Sequence, residues 1–285
     1  MGRSSVPAVR ATAVGLWGAS HPGPTLVVTA LAAALGVAVG LEPSRLALLT
    51  LAVFAGQLAV GISNDAIDVA RDRASGRRDK PLARGQASER AAWIAASVAL
   101  AAALALSAPL GWRMLAVHAL VLGSAGAYNA GLKSTVWSIA PFLVSFGLFP
   151  SLATLSAPSP AFAAPWAGIA GAALGAAVHL TNVLPDLDDD ARTGVRGLPH
   201  RWGARVSAVV ACLAVMTGAA AVLVGPGGAI TVIAWVFFGA VLAVAAVTIV
   251  LALVRPPARV LFRLVMLAAL LLAAQLVATG SALTA

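Results

Sequence analysis

The chain has 285 residues, of which 60% are hydrophobic and only 10% are charged, and its formal net charge is +9. A soluble domain usually carries about 25% charged residues, so this composition excludes an ordinary water-soluble surface and indicates lipid as the solvent of the fold. The single cysteine, Cys212, excludes a disulfide framework within the chain and a zinc cluster built on several cysteines.

Apolar segments long enough to cross a bilayer follow one another along the chain. A helix needs about 20 apolar residues to cross about 30 Å of hydrocarbon, and its backbone groups must be satisfied within the helix. We therefore predict an all-α polytopic membrane protein, with nine transmembrane helices around a central cavity in a single domain, 1–285. The predicted helices cover about 24–41, 46–63, 91–108, 114–131, 136–157, 166–184, 206–224, 229–254 and 260–280. No clear cleavage site follows the first apolar run, so we predict no cleavable signal peptide.

The basic residues predict which helix ends face the cytoplasm. With the N-terminus inside and nine alternating helices, 17 of the 19 lysines and arginines fall on cytoplasmic segments, and only Arg45 and Arg113 fall outside. Positive residues concentrate on the cytoplasmic side, so this bias indicates a multi-pass protein of the cell membrane with a cytoplasmic N-terminus. It also accounts for the net charge without nucleic acid, which we do not expect as a partner.

Two stretches repeat one polar pattern, each at the end of a predicted helix. The pattern is an asparagine followed by aspartates four and eight residues later; the first aspartate motif is Asn64, Asp68 and Asp72, and the second is Asn182, Asp186 and Asp190. The motifs lie 118 residues apart and on the same membrane face. This spacing predicts an internal repeat of four helices, with halves of about 20–135 and 136–285.

The spacing of four has a geometric meaning in a helix. Positions i, i+4 and i+8 drift by only about 80° and rise about 12 Å, so one amide and two carboxylates share a stripe. Like charges at this spacing destabilise a helix, and the bilayer edge adds a desolvation cost, so a positive group must offset them. A solvated loop would account for one such stretch, but a matching pair fits a divalent cation better, and oxygen ligands are typical of Mg²⁺. Pro185 is expected to kink or restart the second helix just before Asp186.

At these motifs the sequence resembles the UbiA-type intramembrane prenyltransferase superfamily. The first motif, extended by Asp65, is similar to that family's first aspartate-rich motif, and the second motif is similar to its second. Lys80-Pro81-Leu82 is also similar to the Arg-Pro-Leu segment that follows the family's first motif. Nine helices with motifs after helices 2 and 6 are the family arrangement, so the resemblance spans nearly the whole chain.

The resemblance implies an enzyme that uses Mg²⁺ to ionise a polyprenyl diphosphate. The prenyl group is then transferred to a small aromatic or hydrophobic acceptor, and pyrophosphate is released. The implied metal-facing carboxylates are those of Asp68, Asp72, Asp186 and Asp190, with Asn64, Asp65 and Asn182 beside them. The family also has a tyrosine and a lysine after helix 4 that contact the diphosphate; the candidates here are Tyr128 and Lys133, which are five residues apart where four is commoner.

Basic residues near the two motifs suit the departing pyrophosphate. Its charge is stabilised by Mg²⁺ and by nearby cations, and the candidates are Lys133, Arg71, Arg77, Arg78 and Arg196. Two histidines lie within apolar segments. We expect His118 to be packed or hydrogen-bonded between helices, whereas His179 is a candidate cavity-lining residue. Gly171 and Gly175 are expected to permit close helix packing.

Three other functions remain open at this point. Membrane terpene cyclases of the same superfamily share the ionisation step but use no acceptor, and another branch transfers phosphoribosyl groups to lipid phosphates. A cation-coupled transporter would also have repeats and intramembrane carboxylates, but near the bilayer midplane. Here the carboxylates follow the ends of the predicted helices and have arginines beside them. The chain also has no Gly-x-x-x-x-Gly-Lys sequence, which argues against nucleotide-driven work.

Overall fold

Helices make up the fold, for which a computed structural model describes residues 5–77, 79–182, 184, 196–254 and 259–284. Within these ranges no strand occurs, so the predicted all-α class is confirmed there. The helices are α1 (Ser5–Ala19), α2 (Pro22–Ala38), α3 (Pro43–Ala74), α4 (Glu89–Ser107), α5 (Trp112–Ala130), α6 (Ala140–Leu155), α7 (Pro165–Asn182), α8 (Leu198–Val224), α9 (Val232–Val254) and α10 (Arg259–Ala278).

Each predicted membrane segment overlaps one of the helices α2 to α10, but fewer helices qualify as membrane spans. In the described ranges, six are long and apolar enough to cross a membrane: α3, α4, α6, α8, α9 and α10, where α4 and α6 are counted with their adjoining 3-10 turns. The bent pair α1 and α2 would make a seventh. The membrane character is thus confirmed, whereas the number of nine crossings is not. Helix α7 is not among the six, and glycine, alanine and polar residues make up much of it.

A helix that the sequence did not predict precedes the first apolar segment. The chain bends by 66° between the part of α1 from Arg10 onward and α2. At the bend, His21 has a left-handed backbone with φ 54°, and Pro22 begins α2. Proline suits the first turn of a helix because its missing N–H has no intrahelical partner there. Helix α3 packs directly on the bend, since a Cβ on Gly61 would clash with the backbone carbonyl of Ser20.

Helix α3 continues beyond its apolar segment and carries the first motif. The predicted segment ended at residue 63, but the helix runs on to Ala74. Arg71 and Arg73 lie in its last turn, where positive charge favours the helix dipole. The predicted helical stripe is therefore confirmed for Asn64, Asp68 and Asp72.

Helices α6 and α7 approach each other through the two glycines of α7. A Cβ on Gly171 would clash with the carbonyl oxygen of Phe146, and one on Gly175 with that of Phe142. The predicted close packing at these glycines is thus confirmed. The last turns of α7, which lead towards the second motif, are held against the start of α6.

Candidate active site

Asp68 is the carboxylate of the first motif with the most short ionic contacts. Lys133 Nζ donates to its two oxygens at 2.5 and 2.6 Å, and Arg71 Nη2 donates to Oδ2 at 2.8 Å. Asp68 is only 8% exposed, so these contacts are largely screened from water, where Coulomb attraction is strong. The structure thus brings Lys133 and Asp68 together, although they are 65 residues apart in the chain.

Lys133 reaches Asp68 because of how α5 ends. Gly131 follows the helix with φ 154°, a value that L side chains rarely adopt, and turns the chain into a short 3-10 segment that carries Lys133. One turn earlier, Asn129 Nδ2 donates to the carbonyl oxygen of Val60 at 3.0 Å and to Ser63 Oγ at 3.3 Å. Asn129 is buried and therefore ties the end of α5 to α3, immediately before the first motif.

Asp65 has a separate set of partners. Lys80 Nζ donates to its Oδ1 at 2.7 Å, and His21 Nε2 lies 2.9 Å from the same atom. Asp65 is 1% exposed, and its Oδ2 is buried without a hydrogen-bond partner. Asp72 is also buried, with Arg71 Nε 3.8 Å from its Oδ1. All three aspartates of α3 thus lie next to a cation.

The remaining basic candidates are less closely tied to the first motif. Arg77 donates two hydrogen bonds to Asp79, at 2.9 and 2.7 Å, and these bonds lower the pKa of the Asp79 carboxyl to about 2. Arg196 is exposed, as is Asn182 at the end of α7. Three predicted site residues lie outside the described residues: Arg78, Asp186 and Asp190, and so does Pro185.

Tyr128 belongs to an aromatic wall between α5, α6 and α7. Its ring meets those of Phe142 and His179 edge-on, at centroid distances of 5.1 and 5.9 Å. His179 is buried and its Nε2 lies 3.0 Å from Ser138 Oγ, which also accepts a hydrogen bond from the backbone N–H of Leu198. His179 therefore helps to hold α7 next to the start of α6 and of α8. That it also lines a cavity stays a prediction.

His118 has the structural role that was predicted for it. It is buried, and its Nδ1 lies 2.8 Å from Ser107 Oγ on α4. On the other side its ring packs close to Gly56 of α3. These contacts place it between helices and away from the aspartates of the first motif.

The described carboxylates have the donor chemistry of a magnesium site but do not form a complete ligand set. Within the described ranges, no three His, Cys, Asp or Glu residues are grouped closely enough to hold a metal ion. However, Asp68 and Asp72 are buried on one face of α3, where their carboxylate oxygens are the hard donors that Mg²⁺ prefers. Mg²⁺ is commonly held by one or two carboxylates together with substrate phosphates and water, and such a site fits these residues.

Three side chains that contact the first motif or the residues of α3 just before it were missed from the sequence: His21, Lys80 and Asn129. For Lys80 a signal was present, because the chain has only two lysines against seventeen arginines. Both lysines form ion pairs with aspartates of α3. His21 and Asn129 gave no comparable signal, since only the packing of α2 and α5 on α3 brings them to these partners.

The fold resembles solved membrane proteins over nearly its whole length. A digeranylgeranylglyceryl phosphate synthase has a TM-score of 0.72 at 12% identity, covering 95% of this chain and 99% of that one. A UbiA homologue from Archaeoglobus fulgidus bound to GPP and Mg²⁺ has a TM-score of 0.69 at 15% identity, covering 94% and 99%. An apo UbiA homologue from Aeropyrum pernix K1 has a TM-score of 0.68 at 19% identity, covering 94% and 98%. At these identities the likeness concerns the fold.

A family model adds what the structural likeness alone does not show. No curated protein matches the chain significantly. The model of the UbiA prenyltransferase family, however, matches residues 25–267, a range that includes both aspartate motifs and Lys133. Because this match covers most of the 285 residues, the chain belongs to the UbiA prenyltransferase family.

Proposed function

We propose that this protein transfers a prenyl group from a polyprenyl diphosphate to a small aromatic or hydrophobic acceptor, with Mg²⁺ as cofactor and pyrophosphate as the second product. The observation that carries the proposal is the cluster of the buried Asp68 with Lys133 and Arg71. Such a cluster offers carboxylate oxygens to a metal and cationic donors to a diphosphate at the same place. Structures of the same fold support it, since solved structures of a UbiA homologue from Archaeoglobus fulgidus are bound to GPP and Mg²⁺ or to DMAPP and Mg²⁺.

The proposed roles follow from the chemistry of each group. When bound, Mg²⁺ neutralises charge on the diphosphate and so eases its departure. Lys133 and Arg71 exchange their contacts with Asp68 for contacts with diphosphate oxygens as negative charge develops there. The proposed metal-holding residues are Asp68, Asp72, Asp186 and Asp190. The proposed substrate-binding residues are Asn64, Asp65, Arg71, Arg77, Arg78, Tyr128, Lys133, Asn182 and Arg196.

The aromatic wall supports a reaction that must exclude water. The carbon–oxygen bond of the prenyl diphosphate breaks with both electrons going to pyrophosphate, which leaves an allylic cation that water would quench. Tyr128 and Phe142 begin a row of rings that continues along α6 through Phe146 to Phe149. This apolar row begins at Tyr128, in the last turn of the helix that leads to Lys133, and favours a hydrocarbon chain over water.

Product analysis tests the proposal directly. Purified protein is incubated with geranyl diphosphate and Mg²⁺, with and without phenolic acceptors, and the products are separated by mass. We expect a prenylated acceptor, formed only when the acceptor is added, and loss of turnover in EDTA. A cyclic hydrocarbon or alcohol formed without acceptor would instead identify a terpene cyclase. Full turnover in EDTA would remove the proposed role of the metal.

We further propose that all nine helices α2 to α10 cross the cell membrane, as one domain with cytoplasmic active-site loops. The bounds of the helices support an internal repeat. The two motifs lie 118 residues apart. When 118 is added to the residue numbers of α2 (22–38), the result is 140–156, which nearly coincides with α6 (Ala140–Leu155). Adding 118 to the residue numbers of α5 (112–130) likewise gives 230–248, which overlaps most of α9 (Val232–Val254).

A further inference from the structure

The bend between α1 and α2 holds a histidine in an unusual backbone conformation. His21 is the one non-glycine residue with positive φ in the described part of the chain, with φ 54° and ψ 69°. Backbone outliers of this kind persist only where the surrounding structure enforces them, and they concentrate at functional sites. Here the enforcement is visible: Thr25 Oγ1 donates to the carbonyl oxygen of Ser20 at 2.7 Å, and Gly61 packs against the Ser20 backbone.

The bend points the imidazole of His21 at Asp65. Its Nε2 lies 2.9 Å from Asp65 Oδ1, whereas Lys80 Nζ lies 3.5 Å from the same nitrogen. The shorter contact assigns the Nε2 proton to a hydrogen bond donated to the carboxylate, which leaves Nδ1 as the unprotonated nitrogen. The imidazole is 38% exposed while Asp65 is 1% exposed. A buried carboxylate behind a more accessible imidazole is the arrangement that orients histidine as a base.

Charge balance does not require His21. Lys80 is already 2.7 Å from Asp65 Oδ1 and neutralises that carboxylate. Nor does the bend require histidine, since glycine adopts positive φ without strain. His21 also lies before residue 25, where the match to the family model begins. The histidine therefore combines a strained backbone and an oriented ring with no structural need for either.

We propose that His21 is the base that accepts the proton lost by the acceptor during prenyl transfer. This inference rests on the proposed function. A ring carbon of an aromatic acceptor forms a bond to the prenyl carbon as pyrophosphate leaves, and that ring carbon then loses its hydrogen as a proton to His21 Nδ1. Asp65 orients the imidazole and stabilises the imidazolium. The position fits, because Asp65 adjoins Asn64 and lies one helical turn before Asp68.

The test uses geranyl diphosphate, Mg²⁺ and 1-naphthol, with His21→Gly as the main variant. Glycine relieves the strain at positive φ, so this variant folds, and it leaves space for added imidazole. We expect wild-type affinity for geranyl diphosphate, a fall in transfer rate of about 100-fold or more, and recovery with imidazole. Naphthol deuterated on the ring should slow His21→Gly but not the wild type, because proton removal becomes rate-limiting only in the variant.

Two further variants separate a base from a structural contact. His21→Gln retains a donor for Asp65 but no basic nitrogen, so it should lose transfer like His21→Gly. Lys133→Ala should also lose activity, but imidazole should not restore it, because the missing group there is not a base. Recovery by imidazole confined to His21→Gly would support the proposal.

Three results would overturn it. The first is unchanged transfer in His21→Gly, and the second is a loss without imidazole recovery or isotope effect, which would show a structural role. The third concerns the wild type: pyrophosphate release with no prenylated naphthol would refute the proposed transfer itself and leave His21 no acceptor proton to receive. The first two results would overturn the role of His21 alone and leave the proposed function standing, whereas the third would refute both.

Discussion

At the scale of single residues, the first motif is neutralised by the chain's own cations. Lys133 and Arg71 contact Asp68, and Lys80 contacts Asp65. Under the proposed function Lys133 exchanges Asp68 for a diphosphate oxygen, and its compact ammonium on a flexible stem needs no planar geometry to be matched there. Isolated buried carboxylates would be costly, and these pairings keep the site folded in the absence of ligand.

Lys133 is predicted to contact the diphosphate and not merely to mark a cytoplasmic loop. Lys133→Arg keeps the positive charge but replaces the compact ammonium with a larger, planar guanidinium group. We expect correct insertion with turnover reduced by about tenfold, and a reduction of about 100-fold or more in Lys133→Ala. Steady-state kinetics with geranyl diphosphate measures both. Full activity in Lys133→Arg would reduce Lys133 to a topological signal.

Replacement of Asp68 is predicted to abolish function while the fold survives. Asp68→Asn removes the charge that holds Lys133 and Arg71, and Asp68→Ala also removes the oxygens. We expect turnover to fall by about 10²–10³ in each, the usual cost of losing a preorganised charged group. Far-ultraviolet circular dichroism should show wild-type helix content. Glu89→Gln, which removes an exposed carboxylate at the start of α4, serves as the control and should leave turnover unchanged.

At the scale of elements, the contact between α6 and α7 decides where the aromatic wall and the second motif lie. Gly171 and Gly175 let the two backbones approach. His179 lies on the same face of α7 one turn further on, and its contact with Ser138 continues the interface there. Small residues at such interfaces serve van der Waals packing in lipid, where no hydrophobic force drives helices together. If one of these helices moved along the other, the rings of Phe142 and His179 that contact Tyr128 would move, and so would the end of α7, which carries Asn182 of the second motif.

The glycine contact leads to a prediction with a matched control. Gly175→Ala should destabilise the protein by about 1–3 kcal/mol, because even one methyl group meets the Phe142 carbonyl. Gly123→Ala on α5 meets no atom within 4 Å and should be neutral or stabilising by up to about 1 kcal/mol. Thermal unfolding of both variants in the same detergent compares them. If Gly175→Ala were as stable as Gly123→Ala, the prediction would be wrong, and α6 and α7 could move slightly apart without loss of stability.

At the scale of the whole molecule, the charges predict an orientation that the helices alone do not establish. The two cations that fall outside under the predicted topology have structural roles at the end of the bundle opposite the first motif. Arg45 Nη1 donates to the carbonyl oxygen of Ser156 at 2.8 Å, and Arg113 Nη1 donates to that of Pro160 at 3.5 Å. Both thus donate to carbonyl groups of the α6–α7 connection, so each has a structural contact there.

Cysteine labelling tests this orientation cleanly, because the one native cysteine, Cys212, is buried. Ser75→Cys lies in an exposed position after the first motif, and Ser159→Cys lies in the exposed α6–α7 connection. A membrane-impermeant thiol reagent should label Ser159→Cys in intact cells and Ser75→Cys only after the cells are opened. The reverse pattern would place the active-site loops outside.

Much of the helical framework could be predicted because its signals are local. Each of the nine apolar segments is a helix, since a segment in lipid must satisfy its own backbone hydrogen bonds. The stripe of Asn64, Asp68 and Asp72 likewise follows from helical geometry, once α3 is seen to continue to Ala74. Helix α1 was missed because it is short and precedes the apolar run. The nine crossings are not confirmed, because in the described ranges α5 and α7 are not among the helices long and apolar enough to cross a membrane, and α2 qualifies only together with α1.

The sequence by itself thus determined the all-helical class, the membrane as solvent and the aspartates of the first motif, because composition and a period of four are properties of neighbouring residues. Only the tertiary structure decided which cations neutralise those aspartates. Lys133 reaches Asp68 through the turn at Gly131 and the anchor at Asn129, and His21 reaches Asp65 through the bend before α2. Contacts across dozens of residues depend on how helices pack, and packing is decided by backbone approach and buried hydrogen bonds that leave no periodic trace in the chain.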